Sequence, residues 1–227
     1  MQQPLITLSG VSKTYKLGDE TVHALDKIDL VIQAGEFVAI TGPSGSGKST
    51  LANIIGGLDA PDEGLVTVEG QDISKLSDRK LSEYRNRHIG FVFQSFNLQP
   101  NYTALENVLL PMVFAKVGVR ERTARAQECL EAVGLGDRLR HLPAQLSGGQ
   151  RQRVSIARSL ANKPSVIVAD EPTGNLDSQK GEEILTILKN LNKQGITLIV
   201  ITHDMEIAKQ ADRLLFIRDG KITERGK

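Results

Sequence analysis

The sequence predicts an α/β protein with a mainly parallel sheet covered by helices on both faces. Three short segments, residues 36–41, 165–169 and 197–201, are apolar almost throughout, as expected of strands buried on both faces. Helical patterns alternate with these strands, and that alternation is typical of a parallel sheet. Residues 103–160 carry apolar side chains at helical spacing, which predicts a helical insertion between two portions of the core.

The elements before the insertion are short apolar runs separated by turn residues such as Ala34-Gly35. A Gly-rich loop from Gly42 to Ser49 joins one of these runs to a helix. The predicted strands are residues 5–8, 28–32, 36–41, 65–69 and 89–93, and the predicted helices are residues 51–58 and the basic segment 76–88.

The insertion contains three helical patterns, ALENVLLPMVFA, RTARAQECLEAVG and RQRVSIARSLA, with breaks at Gly118, Gly134 and Pro143. The predicted elements after it are strand 165–169, helix 180–192, strand 197–201, and a hairpin of residues 214–217 and 221–223 around Asp219-Gly220. We therefore expect one domain over residues 1–227, with its core in segments 1–94 and 161–227 and a helical subdomain at 95–160.

Composition and charge exclude several classes of protein. The 227 residues carry a net charge of +1, whereas a dedicated nucleic-acid binder is usually strongly basic, so we expect no nucleic-acid partner. The single Cys129 fits a reducing compartment, and a packing role is its simplest interpretation. No apolar run reaches the length of about 18 residues that a membrane helix needs, and the start, MQQPLITLSG, does not resemble a signal peptide. We expect a cytosolic protein that reaches a membrane only through a partner.

The segment GPSGSGKS, Gly42 to Ser49, fits the pattern G-x-x-x-x-G-K-[ST] between a strand and a helix. Glycines let successive backbone N–H groups point inward, and the helix N-terminus adds positive potential, so the loop can bind phosphates. We expect Lys48 to neutralise the β- and γ-phosphates and Ser49 to bind Mg²⁺.

Two carboxylates, Asp170 and Glu171, follow the buried strand that begins at Val166. Open α/β sheets bind ligands at the carboxyl ends of their strands. Asp170 suits the coordination shell of Mg²⁺, and Glu171 can orient the water that attacks the γ-phosphate. In isolation such a pair is more often a solvated strand end, and its place downstream of the phosphate loop favours the catalytic interpretation.

The segment LSGGQ, Leu146 to Gln150, precedes the helical pattern RQRVSIARSL. Gly148, Gly149 and the Ser147 hydroxyl then lie at a positive helix end, which predicts a second phosphate-binding element. Because this element belongs to the helical insertion, we expect that it cannot easily reach the ligand of the first loop in the same chain.

These motifs, in this order, resemble those of the ATP-binding cassette family over essentially the whole chain. The resemblance implies a P-loop NTPase core with a mixed, mainly parallel sheet, an N-terminal antiparallel β subdomain and an inserted helical subdomain. It also implies a head-to-tail homodimer that holds two MgATP, each between the phosphate loop of one chain and the LSGGQ signature of the other. The ATP-binding residues would be Tyr15, Gly42, Pro43, Ser44, Gly45, Ser46, Gly47, Lys48, Ser49, Thr50, Ser147, Gly148, Gly149, Gln150 and Asp177.

The resemblance assigns further roles to single residues. Gln94 matches the Q-loop glutamine and would bind Mg²⁺ with Ser49 and Asp170, and His203 matches the switch histidine. The catalytic residues would then be Glu171, His203, Gln94 and Lys48. Tyr15 takes the place of the aromatic that stacks on adenine, and the segment 175–177 matches the D-loop. Considered singly, Tyr15 is more simply a strand aromatic and His203 a turn histidine.

Residues after Gln94 are richer in apolar side chains than a solvated helix requires. We expect about half of them to pack inside the insertion and the rest to receive a short helix from an integral membrane permease. The residues concerned are Phe96, Leu98, Tyr102, Leu105, Val108, Leu109, Pro111, Met112 and Phe114.

Within the family, the chain resembles the bacterial or archaeal subgroup for lipoprotein release and macrolide or peptide export. That implies a place at the cytoplasmic face of the cell membrane, held there by the permease. The alternatives are a cassette that acts on DNA or ribosomes and a regulatory ATPase that acts through a membrane protein on cell-wall or division machinery. Only about one hundred residues separate the phosphate loop from the signature, too few for the long coiled coils of chromosome proteins.

Overall fold

The structure, a computed structural model, describes residues 4–18 and 20–225. Within these ranges, no helix is both long enough and apolar enough to cross a membrane. The strands are β1 (Pro4–Leu17), β2 (Glu20–Gln33), β3 (Phe37–Thr41), β4 (Glu63–Val68), β5 (Gln71–Asp72), β6 (Ile89–Phe93), β7 (Val166–Asp170), β8 (Thr197–Ile201), β9 (Arg213–Arg218) and β10 (Lys221–Arg225). The helices are α1 (Lys48–Ile55), α2 (Asp78–His88), α3 (Ala104–Phe114), α4 (Val119–Ala132), α5 (Gly148–Ser159), α6 (Ser178–Lys193) and α7 (Met205–Ala208), with a 3-10 turn at Pro143–Gln145.

The central sheet has the order β10-β9-β3-β8-β7-β6. Strands β9, β3, β8, β7 and β6 are parallel, and β10 pairs antiparallel with β9 at the edge. Strands β3 and β8 are buried along their whole length, as their continuous apolar composition predicts. The predicted α/β class with a mixed, mainly parallel sheet is therefore confirmed.

A second sheet, of order β2-β1-β4-β5, is antiparallel and confirms the predicted N-terminal β subdomain. Strands β1 and β2 are much longer than the predicted segments 5–8 and 28–32, since they pair from Pro4 with Gln33 to Leu17 with Glu20. The sequence pattern missed these outer halves because the first four residues of β2 are exposed and carry little apolar periodicity.

Two cores lie on opposite faces of the central sheet. In β7, Val166 and Val168 face a core shared with α1, α2 and the antiparallel sheet. Ile167 and Ala169 face a core shared with helices α3 to α6. Strictly alternating burial on two faces explains why this strand needs apolar residues at every position.

The segment between β6 and α3 is irregular, and the buried Asn107 holds it in place. Its amide nitrogen donates to the carbonyls of Gln99, Tyr102 and Thr103, and its side-chain oxygen accepts from the N–H of Gln99. Thr103 and Glu106 form a capping box at the start of α3, as the change to helical spacing near residue 103 predicts.

Two helices differ from the prediction. Helix α1 ends at Ile55 rather than at residue 58, because Gly56 and Gly57 follow and Gly57 has a φ of 66°. Helix α7 was not predicted, since it is a single turn whose start depends on the Asp204 carboxylate, which accepts the N–H of Glu206 at 2.8 Å.

Gly56 provides a test of the packing between α1 and the central sheet. A Cβ at this residue would lie 2.0 Å from the Phe91 ring, although its φ of −75° would suit alanine. We expect Gly56→Ala to lower the free energy of unfolding by about 1–3 kcal/mol through overpacking. Gly181→Ala in α6 is the matched control, since a Cβ there makes only ordinary contacts with Thr173.

The control substitution should leave the free energy of unfolding unchanged or raise it by up to about 1 kcal/mol, because alanine favours a helix over glycine. Urea denaturation of the three proteins measures both effects. Equal stability of Gly56→Ala and the parent would contradict the close contact with Phe91.

Candidate functional site

The loop between β3 and α1 is bounded by two glycines that lie against neighbouring backbone. A Cβ at Gly42 would lie 2.1 Å from the carbonyl oxygen of Ile217, and one at Gly47 would lie 2.2 Å from that of Ala24. Their φ angles are 152° and 105°, and that of Gly45 is 76°. Only glycine fits the contacts at Gly42 and Gly47, and glycines let a loop backbone take the tight turns that an anion site of this kind requires.

Lys48 lies inside this loop. Its ammonium group donates to the carbonyl oxygens of Gly42 at 2.8 Å and Pro43 at 2.6 Å. Ser49 and Thr50 follow in the first turn of α1, where N–H groups without intrahelical partners face the loop. The cation and the helix N-terminus therefore converge on one concavity, as the sequence predicts.

Ser46 lies on the buried side of the phosphate loop. It is only 5% exposed, and its hydroxyl has no hydrogen-bond partner within the part of the chain that the structure describes. The neighbouring Ser44 and Gly45 are exposed. A buried hydroxyl without a partner costs free energy unless it meets an acceptor, and a phosphate oxygen is such an acceptor.

Asp170 is the last residue of β7 and pairs with Phe93 of β6 and Ile201 of β8. Burial, and then the negative charge of Glu171, raise the pKa of the Asp170 carboxyl above its ordinary value, while the Lys48 ammonium partly offsets them. Lys48 is thus close enough to act on Asp170 electrostatically. The phosphate loop and the acidic strand end belong to one site.

Glu171 is held by residues beyond β8. Its Oε1 accepts from the backbone N–H of His203 at 3.1 Å and lies 2.7 Å from Nδ1 of the same residue. Its backbone has a φ of 46°, and its N–H donates to Ile201. The hydrogen bond to the Glu171 carboxylate, and its charge, raise the pKa of His203 above 6.5.

Gln94 follows β6 and lies against the segment that follows Glu171. A Cβ at Gly174 would lie 2.7 Å from the Gln94 side-chain nitrogen, so a larger residue there would displace the Gln94 amide. Asn175 donates to the Gln94 carbonyl at 2.9 Å. The Q-loop glutamine and the acidic strand end therefore lie side by side, as the family pattern predicts.

The expected Mg²⁺ ligands, Ser49, Gln94 and Asp170, offer a hydroxyl, an amide oxygen and one carboxylate. These hard oxygen donors fit Mg²⁺, which usually takes one or two carboxylates together with phosphate oxygens. No group of three or more His, Cys, Asp and Glu side chains suited to a metal occurs within residues 4–18 and 20–225. The protein's own donors thus suit a metal that is shared with a nucleotide.

The signature segment begins α5. Ser147 caps the helix, its hydroxyl accepting from the N–H of Gln150 at 3.3 Å, while Oε1 of Gln150 accepts from the N–H of Ser147 at 2.9 Å. Leu146 is buried and anchors the segment. The N–H groups of the first turn of α5 thus lie at an exposed helix end, where an anion is favoured.

Gly148 lies beneath the segment that precedes α6, and Gly149 lies beneath the first turn of α6. A Cβ on each would lie 3.3 Å from Leu176 and 3.2 Å from Lys180, respectively. Asp177 caps α6 by accepting the N–H of Lys180 at 3.0 Å, and it also pairs with the Lys180 ammonium. These bonds lower the pKa of the Asp177 carboxyl. The D-loop and the signature therefore form one surface.

Most of the predicted ATP-binding residues line two separate clefts, and Gly42, Pro43, Ser44, Ser46 and Gly148 line neither. One, of about 240 Å³, lies between Tyr15 and the phosphate loop, and the other, of about 520 Å³, is lined by the signature and by Asp177. Within the described residues, the two clefts share no lining residue. A single chain thus separates its two phosphate-binding elements.

One residue of the site was missed from the sequence. Gln152 is fully buried, and its amide nitrogen donates to Pro172 at 2.6 Å and to Phe93 at 3.4 Å. It links the signature helix to both strand ends that carry the candidate catalytic residues. The available signal was a glutamine on the apolar face of a predicted helix, where polar residues are rare.

The contact between Glu171 and His203 predicts a pH dependence. Because the pKa of His203 is raised in the folded state, the contact stabilises the fold fully below pH 6.5, and its contribution is lost as the pH rises through the folded value. NMR titration of the imidazole should give a pKa above 6.5 that falls in Glu171→Gln.

Glu183→Gln is the matched control, because Glu183 pairs with Arg153 and not with His203. It should leave the His203 titration unchanged. An identical His203 pKa in the parent and in Glu171→Gln would contradict the contact.

Comparison with known proteins is consistent with this geometry. The family model described as ABC transporter matches residues 25–174. An uncharacterized ABC transporter ATP-binding protein, YvrO of Bacillus subtilis, is 56% identical over 98% of both chains. A macrolide export ATP-binding/permease protein, MacB 2 of Aeromonas hydrophila, is 51% identical over 99% of this chain but only 35% of its own length.

Among solved structures, the ATP-binding cassette MJ0796, in a dimeric post-hydrolysis state bound to ADP and Pi, is 48% identical with a TM-score of 0.88, over 98% of this chain and all of that one. A second dimeric structure of MJ0796 matches equally well, with a TM-score of 0.88 and 50% identity. On these grounds the chain belongs to the ATP-binding cassette family, as an ATP-binding and ATP-hydrolysing subunit of an ABC transporter.

Proposed function

We propose that two copies of this chain form a head-to-tail dimer around two MgATP and that the dimer drives an integral membrane permease. The observation that carries the proposal is the separation of the phosphate loop and the signature into two clefts of one chain. Each cleft offers only part of a phosphate site, so a second copy supplies the missing part. The dimeric form named for MJ0796 supports this arrangement.

The proposed roles follow from the positions of the side chains. Lys48 moves from the loop carbonyls to the β- and γ-phosphates, where its positive charge is needed. Glu171 holds the attacking water in line with the γ-phosphate, and His203 keeps the Glu171 carboxylate in place. Ser49, Gln94 and Asp170 would hold Mg²⁺, which would supply positive charge against the charge that develops on the phosphates.

Dimer closure is then a population shift. Moving an equilibrium from mostly open to mostly closed requires a preference of about 10⁴-fold, or roughly 5.5 kcal/mol. Two γ-phosphates can supply it, because each would meet several charge-assisted donors from both chains. Cleavage and release of phosphate remove these contacts and reopen the dimer.

Trapping the closed dimer tests the role of Glu171. In Glu171→Gln, MgATP binding is retained while hydrolysis slows, so light scattering should show a stable dimer with MgATP and a monomer without it. Glu128→Gln, which alters an exposed carboxylate of α4 that pairs with Arg125 and lines neither cleft, should behave like the parent. If the Glu171→Gln variant stayed monomeric with saturating MgATP, the result would contradict the proposal.

Complementation tests the shared site directly. Lys48→Ala destroys one half of each site, and Ser147→Glu places a negative charge against the phosphates in the other half. Each variant alone should be inactive, but a mixture contains mixed dimers in which one site is wholly intact. We expect the mixture to recover up to about a quarter of the parent ATPase rate, since half of the dimers are mixed and each has one intact site.

A mixture no more active than its components would argue against a site shared between chains. So would a parent ATPase rate per chain that does not depend on protein concentration.

A groove of about 720 Å³ offers a place for the permease. It lies between α2, α3 and the end of β6, with apolar Leu58, Phe91 and Phe114 among its lining residues and Arg79 on its rim. Phe114 is 76% exposed. An apolar groove beside the Q-loop suits a short amphipathic helix of a membrane subunit. The MacB relatives, named as ATP-binding/permease proteins, support a permease as the occupant.

The structure identifies which of the predicted apolar residues pack inside, about half of them as expected. Val108 and Met112 are buried, and Leu98, Leu105 and Leu109 pack against the same core, because α3 turns one face inward. Tyr102 and Phe96 remain at least partly accessible but do not line the groove. Only Pro111 and Phe114 of the predicted set line it.

Charged substitutions test this surface. Phe114→Glu should reduce co-purification with the permease by about tenfold or more, because it places a charge in an apolar contact, and should leave basal ATPase activity unchanged. Val119→Glu is the control, since Val119 is 65% exposed and lies outside the groove. Equal recovery of the permease with both variants would refute docking in the groove.

We further propose export of a macrolide, peptide or lipoprotein, with the ATPase held at the cytoplasmic face of the membrane by the permease. The relatives named for macrolide export and the apolar groove proposed for a permease helix support this assignment. Identification of the co-purified permease by mass spectrometry, followed by transport assays in vesicles, tests it.

A further inference from the structure

A cluster of ionic and hydrogen-bonding groups lies behind Tyr15, outside the catalytic site. The Tyr15 hydroxyl donates to Asp59 at 2.7 Å, and the Lys13 ammonium donates to the other oxygen of the same carboxylate at 2.9 Å. Lys13 also donates to the Ala60 carbonyl at 2.7 Å. This cluster joins β1 to the segment that follows α1.

The cluster is partly shielded from water. The side chain of Lys13 is 12% exposed and that of Asp59 is 31% exposed. Burial raises the pKa of the Asp59 carboxyl, but hydrogen bonds from Lys13 and Tyr15 outweigh it and leave the pKa below its ordinary value. The carboxylate is therefore charged and holds its partners in one geometry.

Tyr15 lies beside both ends of α1. Thr50 of the first turn of α1 lines the same cleft as the ring, and Asp59, which accepts from the phenol, lies in the segment after the C-terminus of the helix. Because α1 begins with Lys48 of the phosphate loop, the ring and the loop are parts of one rigid unit. The distance from the ring to the phosphate site is thus determined by the fold and needs no ordering when a nucleotide binds.

The Lys13 ammonium lies over the ring, 5.5 Å from its centroid. The ring also lines the cleft beside Lys48 together with Val22 and Ala24. One part of the ring is thus covered by the protein, while the part at the cleft can receive a flat apolar group. A nucleotide base is such a group, and its phosphates would reach the loop.

We propose that Asp59, with Lys13, is a positioning residue for nucleotide binding, which orients Tyr15 as a preformed platform for the base. The proposal rests on the proposed stacking of the base on Tyr15. Asp59 contacts no nucleotide itself and acts only through the Tyr15 hydroxyl. Its loss should therefore weaken binding of the base without affecting binding of the phosphates.

The test measures binding of MgADP and of magnesium pyrophosphate, a probe that lacks a base, by isothermal titration calorimetry. Asp59→Ala should weaken MgADP binding by about 3- to 10-fold, as expected for one side chain that is no longer ordered in advance. Pyrophosphate affinity should change less than about twofold. Tyr15→Phe keeps the ring and removes only the hydroxyl, so it should match Asp59→Ala even if the latter is less stable.

Asp62→Ala is the matched control. Asp62 also pairs with Lys13, at 3.3 Å, and accepts the N–H of Thr14, but it does not contact the Tyr15 hydroxyl. It should leave MgADP affinity within about twofold of the parent. A decrease as large as that of Asp59→Ala would overturn the proposal, because the cluster would then serve the β subdomain as a whole.

Tyr15→Ala separates this inference from the stacking on which it rests. Loss of the ring should weaken MgADP binding by about tenfold or more, as base stacking does elsewhere. If Tyr15→Ala leaves the affinity for MgADP unchanged, the base does not stack on Tyr15, and the positioning role of Asp59 is refuted as well. If Tyr15→Ala weakens binding but Tyr15→Phe and Asp59→Ala do not, stacking stands and the positioning role is refuted. Equal weakening of ADP and pyrophosphate in Asp59→Ala would also refute it.

Discussion

The contact of the phosphate loop with the strands beneath it is the constraint on which the rest of this structure depends. Gly42 and Gly47 bring the loop backbone against Ile217 and Ala24, closer than any side chain would allow. This contact positions the N-terminus of α1, and with it Lys48, opposite the acidic end of β7. The antiparallel and parallel sheets therefore meet at the one loop that is shaped for phosphate.

The acidic strand end and the loop are electrostatically complementary only in part. Asp170 and Glu171 raise the local negative charge, while Lys48 is bound to carbonyls of its own loop. A phosphate with a divalent cation would resolve both features, since it offers negative oxygens to Lys48 and a positive ion to Asp170. The same reasoning underlies the proposed dimer, because the remaining donors of the signature lie in another cleft.

Helix α5 connects the parts of the molecule that must act together. It begins at the signature, contacts both strand ends through Gln152, and through Arg158 donates to the carbonyls of Phe96 at 2.8 Å and Asn97 at 2.6 Å. Burial lowers the pKa of the Arg158 guanidinium. Arg158 and Asn97 both line the groove proposed for the permease. Helix α5 thus joins the signature to the proposed partner surface.

Much of this arrangement could be predicted because the relevant signals are local. Apolar strands, the glycine pattern around Lys48 and the cap at Ser147 depend on neighbours in the chain, and each was found where the pattern placed it. The outer halves of β1 and β2 were not predicted, since their exposed residues carry weak periodicity and their pairing supplies most of the order. The apolar spacing of α3 likewise did not indicate that Val108 and Met112 are among the residues that become buried.

The α/β class, the phosphate loop, the acidic strand end and the signature can be predicted from the amino-acid order alone, because backbone geometry there requires particular residue types at short spacing. Only the tertiary structure decided that Glu171 meets His203, that Gln94 lies against Gly174, and that Asp59 holds Tyr15. These contacts join residues far apart in the chain. Their physical cause is the packing of strands and helices against one another, which a pattern of neighbouring residues does not predict.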